Sequence, residues 1–351
     1  MKINALFLYS EVMPYTVASL NQLAEDIDGC VYLVHWSKGN TPYKPNNMNK
    51  VEVYERQDVD RKRLLEILNI CSPAVVYISG WMDRDYLAIA RLARLRKIPV
   101  IGGLDTRWRG TIKQYLWSIT APLILKRYIS HVLIAGVYQF EYAKKLGYKN
   151  DQIIRPEYSA DVKFFNEVFE ARSLRQSHFI GRNIIFSGRL VREKGVLELL
   201  DAYSALRKEY PWLKLKFLGN GELVDVIKQF QGVETAGFVD PNEFYTQTEE
   251  YDIFCLPSYD EPWGVVIHEF ACAGFPIVTS KNCGAASQFV CHDYNGYLFE
   301  PRSVSSLTNQ LRKLITMDQK RFDLFSQRSF KISNSINPEI WSKSILSVIN
   351  E

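Results

Sequence analysis

Short runs rich in β-branched residues alternate along this chain with longer stretches of helical spacing. That connectivity demands a parallel sheet with helices on its faces. In the first half the strand candidates are 3–9, 31–34, 51–54, 75–79, 99–102, 132–135 and 153–155. Between them, 18–26, 61–69 and 85–96 repeat apolar residues at helical spacing. Residues 159–181 are polar and without pattern, and are expected to be a linker. The alternation then restarts, with strands at 183–187, 215–218, 233–236, 253–256, 276–279 and 296–298 and helices at 195–209, 223–229, 264–273 and 305–315. A chain of 351 residues is also too long for one ordinary core. The expectation is two successive α/β domains, 1–160 and 181–334. Ligands of open α/β sheets sit beyond the carboxyl ends of the strands, so two such sheets facing each other would make a cleft between domains.

Composition narrows the class. No apolar run reaches the roughly 18 residues of a membrane-spanning helix. Only Lys2 precedes the first apolar run, which reads as a β-strand rather than a cleaved signal peptide. The six cysteines form no CxxC pair, which favours a reducing, cytoplasmic compartment and no structural metal. The five histidines, His35, His131, His178, His268 and His292, lack ligand spacing. No P-loop, zinc module or nucleophile elbow appears, and no nucleic-acid partner is expected. Net charge is +4, yet 84–127 holds ten basic and two acidic residues, so this stretch is +8 and the remainder −4. Such a stretch either attracts phosphates or an anionic membrane surface, or is a solvated helix face built on Arg91, Arg94 and Lys97.

The motifs fall where strands end. In 257–280, Glu261 and Glu269 are separated by seven intervening residues, with Pro262, Trp263 and Gly264 marking a helix start between them. The amides of Gly264, Val265 and Val266 at that start would form an anion site. If helical throughout, the eight positions would separate the two carboxylates by about 12 Å. That suits a grip on opposite ends of an extended ligand, Glu269 on a ribose diol and Glu261 on sugar hydroxyls. Otherwise Glu269 pairs with a nearby base and Glu261 is a surface residue.

The segment 186–195 follows a strand and ends at a helix, with Gly188 for a tight turn and Arg189 and Lys194 as cations that would meet a departing diphosphate. A solvated basic turn is its plain alternative. In 217–223, Gly219, Asn220 and Gly221 form a glycine turn near a ligand or a simple strand–helix turn. Val224 stands where a dinucleotide fingerprint needs its third glycine, which excludes a dehydrogenase. Phe238 and Val239 either stack beside a base or form a core edge. Asp83 and Asp85 look like a metal-binding DxD, but their place at a helix start reads as capping.

These four elements, in this order, resemble the C-terminal domain of the retaining glycosyltransferases with the E-x7-E motif and the GT-B fold, the family-4 glycosyl transferase group. The likeness covers about 183–315. It implies two Rossmann-like domains with parallel sheets facing an inter-domain cleft, and the tail 335–351 resembles the family's last helix, which returns to the N-terminal domain. It further implies that Arg189 and Lys194 bind the donor's diphosphate, Glu269 the ribose, Glu261 the donor sugar, and Phe238–Val239 the base. Retention at the anomeric carbon with no required metal or cofactor follows from the same likeness. The first half departs from the pattern. The loop 10–19 lacks the paired glycines of many relatives, and Leu104 stands where they carry a histidine. Asp105 either contributes polar contact in its stead, with Arg107 and Arg109 near the acceptor, or caps the following helix.

The expected activity is transfer of a sugar from a nucleotide sugar, UDP-sugar favoured, to a glycan or lipid-diphosphate-linked acceptor in surface polysaccharide synthesis. An epimerase or phosphorylase on the same fold, or a non-catalytic sugar-nucleotide binding protein, are the rival classes. The stretch 115–128 mixes Leu116, Trp117, Ile119, Leu123 and Ile124 with Lys126 and Arg127. It reads either as a buried helix with a basic turn or as a segment lying on the inner face of an anionic membrane.

Overall fold

The computed structural model describes residues 2–37, 43, 45, 48–174 and 182–349. The chain divides into two compact units, 1–161 together with 336–351, and 162–335. In chain order the first unit runs β1 (Ala5–Tyr9), α1 (Pro14–Asp26), β2 (Val31–His35), β3 (Val51–Glu55), α2 (Arg61–Cys71), β4 (Val75–Ile78) and α3 (Arg84–Leu95). It continues with β5 (Val100–Leu104), α4 (Ile112–Leu125), β6 (His131–Ile134), α5 (Val137–Lys145) and β7 (Ile153–Ile154). The strands pair in the order β3-β2-β1-β4-β5-β6-β7, all parallel.

Strands covered on both faces must be apolar throughout, and β1, β2 and β5 are buried at every position. Because successive side chains point to opposite faces, β1 divides between two cores. Leu6 and Leu8 pack with Leu64, Ile67, Tyr86 and Ile89 of α2 and α3, while Ala5, Phe7 and Tyr9 pack with Leu20 and Leu23 of α1. The edge strand β3 exposes Glu52, Val53 and Glu55, with Val51 and Tyr54 half-buried, so its outer rim carries charge that resists pairing with another chain.

The second unit runs α6 (Val162–Leu174), β8 (Ile184–Ser187), α7 (Val196–Glu209), β9 (Leu215–Leu218), α8 (Val224–Ile227), β10 (Val233–Thr235) and α9 (Phe244–Thr248). Then follow β11 (Ile253–Leu256), α10 (Val265–Cys272), β12 (Ile277–Ser280), α11 (Ala286–Phe289), β13 (Gly296–Phe299), α12 (Val304–Ile315) and α13 (Gln319–Ser333). Its sheet has the order β10-β9-β8-β11-β12-β13, again all parallel. In each unit the first strand of the alternation lies inside the sheet and the order reverses beside it, the doubly wound arrangement.

The last helix, α14 (Pro338–Ser347), belongs to the first unit. Asn337 caps it through its side chain, and Trp341 is buried with its ring 5.8 Å from that of Phe7. Trp341 Nε1 donates to the carbonyl of Glu157 at 3.0 Å, and Ser344 Oγ donates to that of Arg155 at 2.6 Å.

The expected linker is corrected in part. Residues 162–174 form α6, in which Val162, Phe165 and Val168 are buried and Phe169 stacks on Phe330 at 4.1 Å. These apolar residues recur at helical spacing among charged neighbours, which hid the stripe in the sequence. Residues 175–181, His178 among them, lie outside the described residues. The helices α5 and α13 also extend the pattern beyond the sequence-based elements.

Candidate active site

The loops after β8, β9 and β10 lock together through their backbones. Gly188 N donates to Leu218 O at 2.9 Å, Leu190 N to Asn220 O at 2.9 Å, and Gly219 N to Gly237 O at 2.5 Å. Close approach requires the glycines. A Cβ on Gly219, which has φ +134°, would strike the carbonyl oxygen of Gly188. The motifs at 186–195, 217–223 and Phe238–Val239 are thus one assembly at the carboxyl edge of the sheet. Asn220 and Arg189 are exposed there, and Phe238 and Val239 are half-buried.

The sheet order reverses between β8 and β11, and the chemistry-bearing side chains meet across that point. Lys194 Nζ donates to Glu261 Oε2, which also accepts from Ser258 Oγ at 3.3 Å. Lys194 retains 19% of its side-chain exposure and Glu261 12%, so the pair is shielded yet reachable. Gly195, at φ +70°, turns the chain from Lys194 into α7, and a Cβ there would meet the Pro257 carbonyl. Glu261 N donates to Asn282 O at 3.1 Å, which anchors its loop.

The helix start differs from the sequence expectation. Helix α10 begins at Val265 with Gly264, φ +90°, as its N-cap, and Pro262 stands two residues before the cap. Glu261 therefore lies outside the helix, and a helical rise does not measure its distance from Glu269. A Cβ on Gly264 would approach Glu261 Cγ to 2.9 Å, so the glycine lets the carboxylate fold back against the helix start. The Val265 and Val266 amides belong to the first turn, where no intrahelical carbonyl reaches them. Glu269 sits half-buried in the second turn. His268 is core, stacked on Phe289 at 4.0 Å and bonded through Nε2 to the Ser333 carbonyl at 2.9 Å.

In the first unit, Asp83 and Asp85 are structural. Asp83 caps α3 by accepting from the Asp85 and Tyr86 amides, and both carboxylates pair with Arg56. Burial pushes the Asp83 carboxyl up, but the Arg56 guanidinium and the capping amides outweigh it and hold it below the ordinary range. Thr111, not Asp105, caps α4. Asp105 is exposed and accepts from Tyr158 Oη at 3.5 Å. Leu104 is core. Arg107 and Arg109 join the turn before α4 through their backbones, the Arg107 carbonyl accepting from Gln114 Nε2 and the Arg109 amide donating to Gln114 Oε1. Helix α4 is not a buried helix: Ile112, Leu116, Ile119 and Leu123 form an apolar stripe, each more than 60% exposed.

The sequence reading missed a pocket where the first sheet reverses between β1 and β4. It is lined by Tyr9, Glu11, Tyr77, Asp105, Glu157 and Tyr158 among others. Glu157 follows β7, the position where the strand-end rule would have pointed.

With this geometry in view, residues 174–327 match the family model of the glycosyl transferases group 1. The second unit is a group 1 glycosyltransferase domain. Over 139 residues this domain is 32% identical to the glycogen synthase of Mycobacterium tuberculosis (strain CDC 1551 / Oshkosh), covering 38% of this chain and 33% of that protein. It is 26% identical over 144 residues to the 2-deoxystreptamine N-acetyl-D-glucosaminyltransferase of Niallia circulans, covering 39% of this chain and 37% of that one. The matches thus span about a third of each relative's length. Beyond the group 1 domain the likeness is one of fold. HepE of Anabaena, solved in complex with UDP-glucose, covers 99% of each chain with a TM-score of 0.74 at 17% identity. The two parallel-sheet units are those of the GT-B fold.

Proposed function

We propose that this protein is a retaining glycosyltransferase that moves a sugar from a nucleoside diphosphate sugar, with UDP favoured, to a hydroxyl of a glycan or lipid-linked acceptor in surface polysaccharide synthesis. The observation that carries the reading is the Lys194–Glu261 pair at the strand reversal of the group 1 domain, beside the interlocked Gly188 and Gly219 turns. Lys194 and Arg189 meet the diphosphate, with the Val265 and Val266 amides adding dipolar support. Glu269 holds the ribose, Glu261 the donor sugar, and Phe238 and Val239 the base. The bond from anomeric carbon to diphosphate oxygen breaks, and the acceptor oxygen forms its bond on the same face. The acceptor proton leaves with a diphosphate oxygen. Fixed cations take up the charge of the leaving group, so the reading gives no metal ion a part. The UDP-glucose complex of HepE supports uridine as the base.

The first unit holds the acceptor, and α4 seats the protein on an anionic membrane surface. The exposed stripe Ile112, Leu116, Ile119 and Leu123 supplies apolar insertion, and Lys113, Lys126 and Arg127 supply attraction to headgroups. No helix among the described residues is long and apolar enough to cross a membrane.

Isothermal titration with UDP, GDP and ADP tests the donor assignment. Saturable UDP binding that Lys194→Ala weakens at least tenfold is the expected result. A chain that binds none of the three, or a variant indistinguishable from wild type, overturns it.

A further inference from the structure

The pocket of the first unit has a composition unlike the donor site. It encloses about 210 Å³, below the roughly 300–1,000 Å³ of sites for drug-sized ligands, so it admits one ring-sized group. Its walls bring together three carboxyl side chains, Glu11, Asp105 and Glu157, and four tyrosines; no lysine or arginine among the described residues lines it. The floor is Glu157, which is 4% exposed. Its Oε1 accepts from Tyr77 Oη at 3.4 Å, whereas Oε2 lacks a partner of hydrogen-bonding geometry among the described residues. A buried polar atom without a partner is costly, and one that lines a pocket is satisfied by what enters it.

The fold makes deliberate room for this carboxyl. A Cβ on Gly103 of β5 would collide with Glu157 Oε1 and Tyr77 Oη, so the strand carries glycine where the acid passes. The backbone of Glu157 is held from two sides, its amide donating to the Ile134 carbonyl and its carbonyl accepting from Trp341. Burial, reinforced by the Asp105 charge, pushes the Glu157 carboxyl well above its ordinary range against the opposing Leu104 amide and the Tyr77 and Tyr158 hydroxyls. The floor is therefore a hydrogen-bond donor as well as an acceptor, while the Asp105 carboxylate on the rim accepts only.

We propose that this pocket receives one uncharged sugar ring of the acceptor, bonding its hydroxyls through Glu157 and Asp105 against Tyr15 and Tyr158, and that it turns away phosphorylated sugars. This deepens the reading that the first unit holds the acceptor and rests on it. A sugar hydroxyl both donates and accepts, so it satisfies the neutral floor and the charged rim together. A phosphate oxygen brought beside a carboxylate of this pocket would meet like-charge repulsion. A divalent cation is also a poor fit, because no group of three His, Cys, Asp or Glu among the described residues is arranged to hold one. For a lipid-linked acceptor, the terminal sugar enters and the diphosphate stays outside.

The test uses the full chain with saturating UDP, whose own binding is read in parallel, and ligand-observed NMR. The probes are the methyl pyranosides of glucose, galactose, mannose and N-acetylglucosamine, with glucose 6-phosphate, glucosamine and magnesium chloride as competitors. At least one glycoside is expected to bind without displacing UDP. Glu157→Leu should weaken it at least tenfold, Glu157→Gln, whose amide still donates, less than threefold, and Asp105→Asn on the exposed rim measurably. Tighter binding of glucose 6-phosphate or glucosamine, displacement by magnesium, silence from all four glycosides, or wild-type affinity in both Glu157→Leu and Asp105→Asn overturns the proposal. Loss of UDP binding with glycoside binding intact counts against the donor reading and leaves the pocket standing.

Discussion

Lys194 and Glu261, 67 residues apart in the chain, are bonded to each other across the point where the second sheet reverses its order. One comes from the loop after β8 and the other from the loop after β11, so the pair ties together the two loops that a ligand at this edge must touch. Removing the cation leaves a shielded carboxylate without its charged donor, which costs about 1–3 kcal/mol. Lys194→Ala should therefore lower stability by that amount in urea unfolding and also abolish donor turnover. Glu261→Gln keeps an acceptor for Lys194 and should lose turnover with less than half the stability loss. Equal turnover in wild type and both variants would remove the pair from the mechanism.

The glycine turns are graded by what surrounds them. Gly219→Ala drives a methyl into the Gly188 carbonyl at a backbone angle that side chains avoid, and should cost roughly 2–3 kcal/mol with loss of UDP affinity. At Gly237, φ +62°, a Cβ meets Asn220 Oδ1 at 3.4 Å, an ordinary contact, so Gly237→Ala bears only the left-handed strain of about 1–2 kcal/mol. Paired urea midpoints check the ranking, and a reversed order would refute the packing argument.

Much of this was legible beforehand because it is local. The strands β9 and β11 have their sequence-read bounds, and Gly188 and Gly219 adopt the positive φ that their turns suggested. What the sequence hid depends on contacts between distant segments. Glu261 has its partner 67 residues upstream, and nothing in its own loop reveals that. Glu157 looks like any acid after a short strand, since its burial comes from β4, β5 and α14 closing around it. The extra helix turn assumed before α10 failed because Gly264 turns left-handed and starts the helix late.

Asp83 and Asp85 offer a discriminating case, since a DxD spacing elsewhere marks a metal site. Here Asp83 caps α3 and binds Arg56, so Asp83→Ala should cost about 1–3 kcal/mol in unfolding while leaving UDP affinity and the response to EDTA unchanged. The folded carboxyl is held low, so its contribution is full above the unfolded value near 3.8 and is lost as pH falls through the folded one. A metal-dependent change in the variant alone would restore the DxD reading.

The stripe on α4 predicts salt-sensitive sedimentation with phosphatidylglycerol vesicles and little with phosphatidylcholine. Replacing Leu116, Ile119 and Leu123 by serine should reduce bound protein at least tenfold without altering the unfolding midpoint, because all three side chains are already in water. Undiminished sedimentation by the triple variant would assign the membrane contact to another surface.

The buried acid makes the stability of the first unit depend on pH. Glu157 has a folded value raised well above the 4.5 of an ordinary glutamate, so above that pH the unfolded chain releases a proton the folded chain keeps. The folded state then binds more protons, and stability falls as pH rises from about 4.5 toward the folded value. The groups facing the carboxyl are Tyr9 on β1, Glu11 in the loop after it, Tyr77 on β4, Asp105 after β5 and Tyr158 beside it. The hydroxyls of Tyr9, Tyr77 and Tyr158 are themselves pushed upward by burial and stay protonated through this range. Glu157→Gln removes the proton release, so its stability should gain on wild type as pH rises above about 4.5 toward the folded value, by at most about 1.4 kcal/mol per pH unit. Urea unfolding of both proteins at each pH measures the difference directly. Parallel curves would mean that the carboxyl keeps its charge in the folded chain, and the pocket floor would then be an acceptor alone.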